Sequence, residues 1–250
     1  MDISTSEEHK QAVDAASDRV LVVVAHPDDM DFACGGTIAG WTAAGLTVAY
    51  CVITDGDAGG RDPLVPPEQV GATRREEQRK AAAVLGVSEL EFLGRPDGRL
   101  VADYPLRRDI ARVIRRFRPG RVVIPSPVRD LRSLYLGHPD HVAAGDAAMS
   151  AAYPDAGTAA AHPELLTQEG LAPHDVAEIW VMSPNDRAEH YVDITDTFDR
   201  KLAALAAHTS QTAHVAGLPE RMREWAQDQG RAAGLPEGRL AEGFLVLARP

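Results

Sequence analysis

Apolar residues along the chain fall into short unbroken runs, spaced by segments in which they recur every three or four positions. Residues 20–25 read Val-Leu-Val-Val-Val-Ala with no polar interruption. Such a run suits a strand covered on both faces. Further strands are predicted over 46–53, 89–93, 121–124, 178–182, 190–192 and 244–247. Helices are predicted over 35–44, 67–85, 105–117, 141–152, 195–208 and 219–233. The 105–117 segment sets Leu106, Ile110, Val113, Ile114 and Phe117 on one face. Gly86 closes the helix before it. Residues 54–67 are rich in Gly, Asp and Pro and read as a loop. Residues 154–174 carry no clear period.

Strands that alternate with helices predict an α/β fold, a mostly parallel Rossmann-like sheet with helices on both faces. No linker divides the chain. Residues 1–18 form a polar lead-in and 19–250 a single domain. A length of 250 residues and an apolar fraction of 44% allow a full core. Net charge is −11, from 26 basic and 37 acidic residues. No Lys/Arg block offers a footprint for phosphates, so nucleic acid is not an expected partner. The longest apolar run is too short for a bilayer span. Two cysteines and the lack of a basic, then apolar, leader point to a reducing, cytoplasmic setting. A homo-oligomer is allowed but not specified.

The chemistry gathers where strands end. Immediately after the first run come His26-Pro27-Asp28-Asp29, and after the strand at 121–124 comes Gly137-His138-Pro139-Asp140-His141. Ligands of open α/β sheets bind outside the carboxyl ends of strands. If the two strands are neighbours, both loops face one crevice. Imidazole and carboxylate suit Zn²⁺, and a catalytic zinc takes three protein ligands with one open position. His26, Asp29 and His141 would supply three; Fe²⁺ would also accept two histidines and a carboxylate. Asp28 is then free to take a proton from water. His138 is free to stabilise an oxyanion or protonate a leaving amine, with Asp140 orienting its other ring nitrogen. Gly35 and Gly36 would let the next helix approach the sheet closely. A turn with a capping Asp would account for either motif alone, but not readily for both.

At these residues the chain resembles the LmbE-like (PIG-L) de-N-acetylase family. Ala25-His26-Pro27-Asp28-Asp29 matches its signature, and Gly137 to His141 its second histidine motif. Thr54-Asp55-Gly56, Thr73 to Glu77, Leu93 to Gly98, Val192 to Asp196, Lys201 and His208-x-x-Gln211 are similar to further family segments. The resemblance implies a Rossmann-like fold and hydrolysis of an N-acetyl group on a GlcNAc-type amino-sugar conjugate. By position it implies metal ligation by His26, Asp29 and His141, Asp28 as base, and His138 with Asp140 as acid partner. It also implies substrate contacts from Arg74 and Asp97. Arg74 would clamp a polar aglycone, or stand solvated in a helical turn. Where the family has Glu after the paired aspartates this chain has Met30, then Asp31, and Leu136 stands where some relatives have Tyr, with Tyr135 adjacent.

Rival readings are an amidase for a larger amide of a sugar-thiol conjugate or natural-product intermediate, and a metal- or sugar-binding relative without turnover. A nucleotide-binding Rossmann protein is disfavoured, because the first strand–helix junction lacks Gly-x-Gly-x-x-Gly and carries negative charge. His208 and Gln211 either line the site or close a helix end. Cys34 reads as a small apolar residue under the loop. His162 and His174 lack partner spacing and take surface or structural roles. Arg115 and Arg116 are expected on a wet helix face.

Overall fold

The run at 20–25 supplies an interior strand of a seven-stranded sheet. The computed structural model describes residues 18–131, 137–182 and 188–248. All but the last residue of the expected lead-in, together with Tyr135 and Leu136, therefore lies outside the described residues. In chain order the elements are β1 (Arg19–Val24), α1 (Asp29–Ala43), β2 (Thr47–Thr54), α2 (Pro67–Leu85), β3 (Glu89–Arg95), α3 (Tyr104–Phe117), β4 (Arg121–Ile124) and α4 (Pro139–Ser150). A π-helical turn (Ala151–Asp155) follows, then α5 (Pro163–Thr167), β5 (Glu178–Met182), β6 (His190–Asp193), α6 (Phe198–Ala207), α7 (Thr209–Thr212), α8 (Leu218–Ala232) and β7 (Ala241–Ala248).

The strand order is β3-β2-β1-β4-β5-β7-β6. From β3 to β5 all neighbours are parallel, whereas β7 runs antiparallel to both β5 and β6. The chain leaves β1 towards one edge through β2 and β3, then returns to the other side of β1 with β4. The direction of winding thus reverses between β1 and β4, where the register pairs Val20 with Arg121 and Val22 with Val123. A crevice opens at such a reversal, outside the carboxyl ends of the two strands.

Alternate residues of β1 serve opposite faces. Leu21, Val23 and Ala25 pack with α3 and α4 through Leu106, Ile110, Ile114, Ala144 and Ala148. Val20, Val22 and Val24 pack with α1, α2 and α6 through Ile38, Ala81, Leu85 and Ala204. All five apolar residues from Val20 to Val24 are fully buried. Two full cores explain why the run lacks a polar position.

Helix α1 begins six residues before the expected start at Gly35. Asp28 takes a left-handed backbone and Asp29 opens the helix, with Asp29 and Asp31 in its first, electropositive turn. The helix breaks at Cys34, whose φ is −144°, so the expected start coincides with its second part. Gly36 makes room for a side chain rather than for the sheet: a Cβ there would stand 2.7 Å from Cβ of Ile194. Arg115 is not on a wet face. It is 2% exposed, and its guanidinium donates to the carbonyls of Asp155, Ala156 and Thr158. The unassigned stretch contains α5, anchored by buried Leu165. No helix among the described residues is long and apolar enough to cross a membrane.

Candidate active site

The two histidine motifs meet because β1 and β4 are adjacent. His26 follows β1, while His138 and Pro139 open α4, which carries His141 one turn in. Nδ1 of His26 lies 3.2 Å from Nε2 of His141. Asp29 Oδ2 lies 3.6 Å from His26 Nδ1, and Asp29 Oδ1 lies 3.1 Å from His141 Nε2. Tetrahedral ligands about 2.1 Å from a zinc ion stand roughly 3.4 Å apart. His26, Asp28 and Asp29 are each 8% exposed and His141 is 9% exposed, so the cluster is close to solvent without being bathed in it. A ring nitrogen of His138 lies within 4.8 Å of ring nitrogens of His26 and His141.

Carboxylates grip the far side of His26. Its Nε2 is 2.8 Å from Asp97 Oδ1 and 3.4 Å from Asp140 Oδ2. In the neutral ring a proton on Nε2 donates to these acids and leaves the Nδ1 lone pair for a cation, a common second layer around metal-binding histidines. Without a cation, burial opposes charge on His26, but hydrogen bonds to Asp140, Asp29 and Asp97 overwhelm it and raise the pKa to about 12. Burial likewise opposes charge on His141, which Asp29 nevertheless raises. Burial alone would raise Asp29, yet His141 and His26 hold it well below the usual carboxylate range. Three acids around one imidazole leave negative charge in excess, so donor set and charge both fit a divalent metal.

Asp28 stands beside this set. Burial pushes its pKa up to about 6, against the pull of Arg74. Arg74 Nη2 donates to Asp28 Oδ2 at 3.1 Å and to the Pro27 carbonyl at 2.7 Å, and Nη1 donates to the Gly56 carbonyl at 3.0 Å. Gly56, at φ +65°, leaves the room the guanidinium occupies. Arg74 is therefore neither a solvated turn residue nor an open clamp; it is 5% exposed and engaged with Asp28 and two carbonyls.

Two further expectations change. Asp97 meets His26 through Oδ1 and accepts the Ala58 N–H through Oδ2, so both its oxygens serve the protein. The carboxylate of Asp140 does not back His138. It faces His26 and accepts the N–H groups of Gly98 and Leu100 at 2.7 and 3.2 Å. The backbone of Asp140 serves His138 instead, its N–H donating to Nδ1 at 3.2 Å. A neutral His138 then carries its proton on Nε2. Burial, with His26 and His141 nearby, lowers its pKa.

The sequence reading misses Gln78, which sits behind Asp28, and the pairing of Asp97 and Asp140 with His26. The spacing of Arg74 and Gln78, one helical turn apart, was the available signal. His208 and Gln211 both engage protein groups. His208 Nε2 meets Asp31 at 2.8 Å, and Gln211 donates to the Gly59 carbonyl at 3.3 Å. Cys34 is buried against Met182, with sulfurs 3.9 Å apart.

Known proteins share this arrangement of sequence and fold. The PIG-L family pattern, described as GlcNAc-PI de-N-acetylase, matches residues 21–152. A diacetylchitobiose deacetylase of Thermococcus kodakarensis is 33% identical over 230 residues, 89% of this chain and 79% of that protein. A probable N-acetyl-alpha-D-glucosaminyl L-malate deacetylase 2 of Bacillus anthracis is 31% identical over 78% of this chain and 81% of its own length. The structure of N,N'-diacetylchitobiose deacetylase from Pyrococcus horikoshii, in complex with its inhibitor MPG, superposes with a TM-score of 0.84 at 27% identity, covering 99% of this chain and 94% of that one. A shared pattern over more than half the sequence, and a shared fold over nearly all of it, mean that this chain belongs to the PIG-L (LmbE-like) family of de-N-acetylases.

Proposed function

We propose that the protein is a metal-dependent hydrolase that removes the N-acetyl group from a GlcNAc-type amino-sugar conjugate, with His26, Asp29 and His141 as metal ligands. The observation that carries this reading is the convergence of those three donors at 3.1–3.6 Å beside a buried carboxylate, Asp28, that is not among them. The names of the relatives support an amino-sugar substrate. Zn²⁺ is the natural occupant, and Fe²⁺ meets the same donors.

When bound, the metal supplies Lewis acidity to the amide carbonyl and acidity to water. The protein's own groups do the rest. Asp28 takes the proton of the attacking water, and burial makes its carboxylate a stronger base than an exposed one. Arg74 holds the same carboxylate and limits its rotation. His138, with Nδ1 occupied by the Asp140 N–H, offers Nε2–H as a hydrogen bond to the developing oxyanion, and Asp28 passes the proton it took from water on to the departing amine. Asp97 and Asp140 hold the His26 ring in the tautomer that presents Nδ1.

The test is acetate release, read by mass spectrometry. Protein stripped by a chelator and reloaded with Zn²⁺ or Fe²⁺ is incubated with N,N'-diacetylchitobiose and with GlcNAc linked to malate or inositol. The expected result is acetate plus a free amine from at least one conjugate, absent after stripping and restored by metal. Turnover that survives complete metal removal contradicts the reading. Release of only longer acids, from larger amides, replaces the acetyl group by another acyl group.

A further inference from the structure

Asp28 and Arg118 are the non-glycine residues of positive φ among the described residues. Asp28 stands at φ 88°, ψ −24°. A non-glycine residue is strained in such a backbone, Asp less than most, and contacts that fix it there offset the strain. Gln78 supplies the bond that does so. Its Oε1 accepts the Asp28 N–H at 2.7 Å, and its Nε2 donates to Asp31 Oδ2 at 3.0 Å. His208 Nε2 meets the same Asp31 oxygen at 2.8 Å. Gln78, Asp31 and His208 are fully buried.

The polarity of this chain is determined at its far end. An ionised Asp31 only accepts, so the Gln78 amide must turn its NH₂ towards it and its oxygen towards Asp28. His208 completes Asp31 from the junction of α6 and α7. Gln78 lies one turn after Arg74 on α2, so one face of that helix holds both the carboxylate and the backbone of Asp28. Met30, where the family has Glu, is buried in the apolar core, and Asp31 beside it is the acid that meets Gln78 and His208. The trio also has a cost. Asp31 Oδ1 and His208 Nδ1 are buried without a hydrogen-bond partner, a penalty that apolar side chains filling the same space would avoid.

We infer that Gln78, oriented by Asp31 and His208, is a positioning residue that holds the left-handed backbone of Asp28 and so aims its carboxylate at the attacking water. The inference rests on the reading of Asp28 as base. Misplacement of a reacting group by about 1 Å costs roughly a hundredfold in rate. Gln78→Met keeps the length and removes both polar ends. It should speed hydrogen exchange at the Asp28 amide, a measurement made without metal. It should also lower kcat about a hundredfold, with KM within about twofold of wild type and metal content unchanged.

Gln78→Glu is the second variant, should Gln78→Met fail to fold. It keeps the acceptor for Asp28 but sets a carboxylate against Asp31. Asp31→Asn in the same chain restores a donor–acceptor match and should recover most of the lost kcat. Unchanged exchange at Asp28 in Gln78→Met overturns the anchoring. Loss of metal along with activity overturns it too, by assigning Gln78 to the ligand loop as a whole, and so does a double variant no faster than Gln78→Glu. Faster exchange with normal kcat, while Asp28→Asn is inactive, overturns the positioning and leaves Asp28 as base. Normal turnover in both Asp28→Asn and Gln78→Met removes the base assignment itself.

Discussion

Lys201 and Glu242 form a fully buried ion pair of 2.6 Å inside the break of α1. Lys201 Nζ donates to the Phe32 carbonyl at 2.7 Å, and Glu242 Oε1 accepts the Gly36 N–H at 3.1 Å. These are the two groups that a regular helix would join to each other. Glu242 Oε2 also accepts the N–H and hydroxyl of Thr37. The pair thus stands in for helical bonds at Cys34 and holds the first turn of α1, with Asp29, against the rest of the helix. Lys201→Met leaves Glu242 charged, buried and without its cation. The expected loss is about 3–5 kcal/mol of stability, read from the urea midpoint at unchanged m. A midpoint equal to wild type would show that the pair contributes nothing to holding the break.

Asp97 offers a choice between two roles. If it holds His26, as its 2.8 Å contact indicates, then Asp97→Asn should weaken metal binding by about 10–100-fold and leave KM for the sugar conjugate within about twofold. His26→Ala and His141→Ala should each abolish metal retention outright. Competition titration with a chromophoric chelator measures all three. Normal metal affinity with a raised KM in Asp97→Asn would return the residue to the substrate-contacting role that family resemblance suggests.

His174 gives a pH dependence away from the His26–His141 cluster. It is buried, and its Nε2 donates to the Pro119 carbonyl at 2.7 Å. Burial, with help from Arg118 and Arg19, lowers its pKa below the usual 6.5 despite that hydrogen bond. On acidification the unfolded chain therefore takes up this proton first, which favours unfolding. The stabilisation is complete above about 6.5 and is lost as pH falls through that value towards the lower folded pKa. His162, also buried, is lowered in the same direction. His174→Gln keeps an N–H for Pro119 and removes the titration. Its Tm should fall less than that of wild type between pH 7.5 and 5.5, and parallel Tm curves would contradict the account.

The strands and the crevice are legible in the sequence because their signals are local. The run from Val20 to Val24 is apolar at every position, since both faces are covered. Each histidine motif follows such a strand. What the sequence leaves open is which acid serves which imidazole. Asp140 is two residues from His138, which suggests that pair, yet its carboxylate points across the crevice to Gly98, Leu100 and His26. Arg74 reads as a free cation because its partners Pro27, Asp28 and Gly56 come from two other loops. Helix α1 reads as starting at Gly35 because Pro27 and two acids resemble a turn. The bond that fixes the backbone of Asp28, the residue capping the helix, comes from Gln78, fifty residues away.

Gly145 ties the packing of α4 to the position of His141. It lies one turn after His141 on α4, on the same face. A Cβ there would press on the carbonyl oxygen of Pro125 and stand 2.8 Å from the nitrogen of Pro127. These are backbone atoms of the segment that follows β4, so they cannot rotate away and the helix itself must move. Gly145→Ala should cost about 1–3 kcal/mol and carry His141 away from His26 and Asp29, weakening metal binding as well. Gly40, inside α1, has nothing within 4 Å of its added Cβ. There the same substitution should stabilise by about 0.5–1 kcal/mol through helix propensity alone, with metal affinity unchanged. Urea midpoints and chelator competition on both variants measure the contrast. Equal effects at the two positions would mean that α4 is not held at its close approach by the missing side chain at 145.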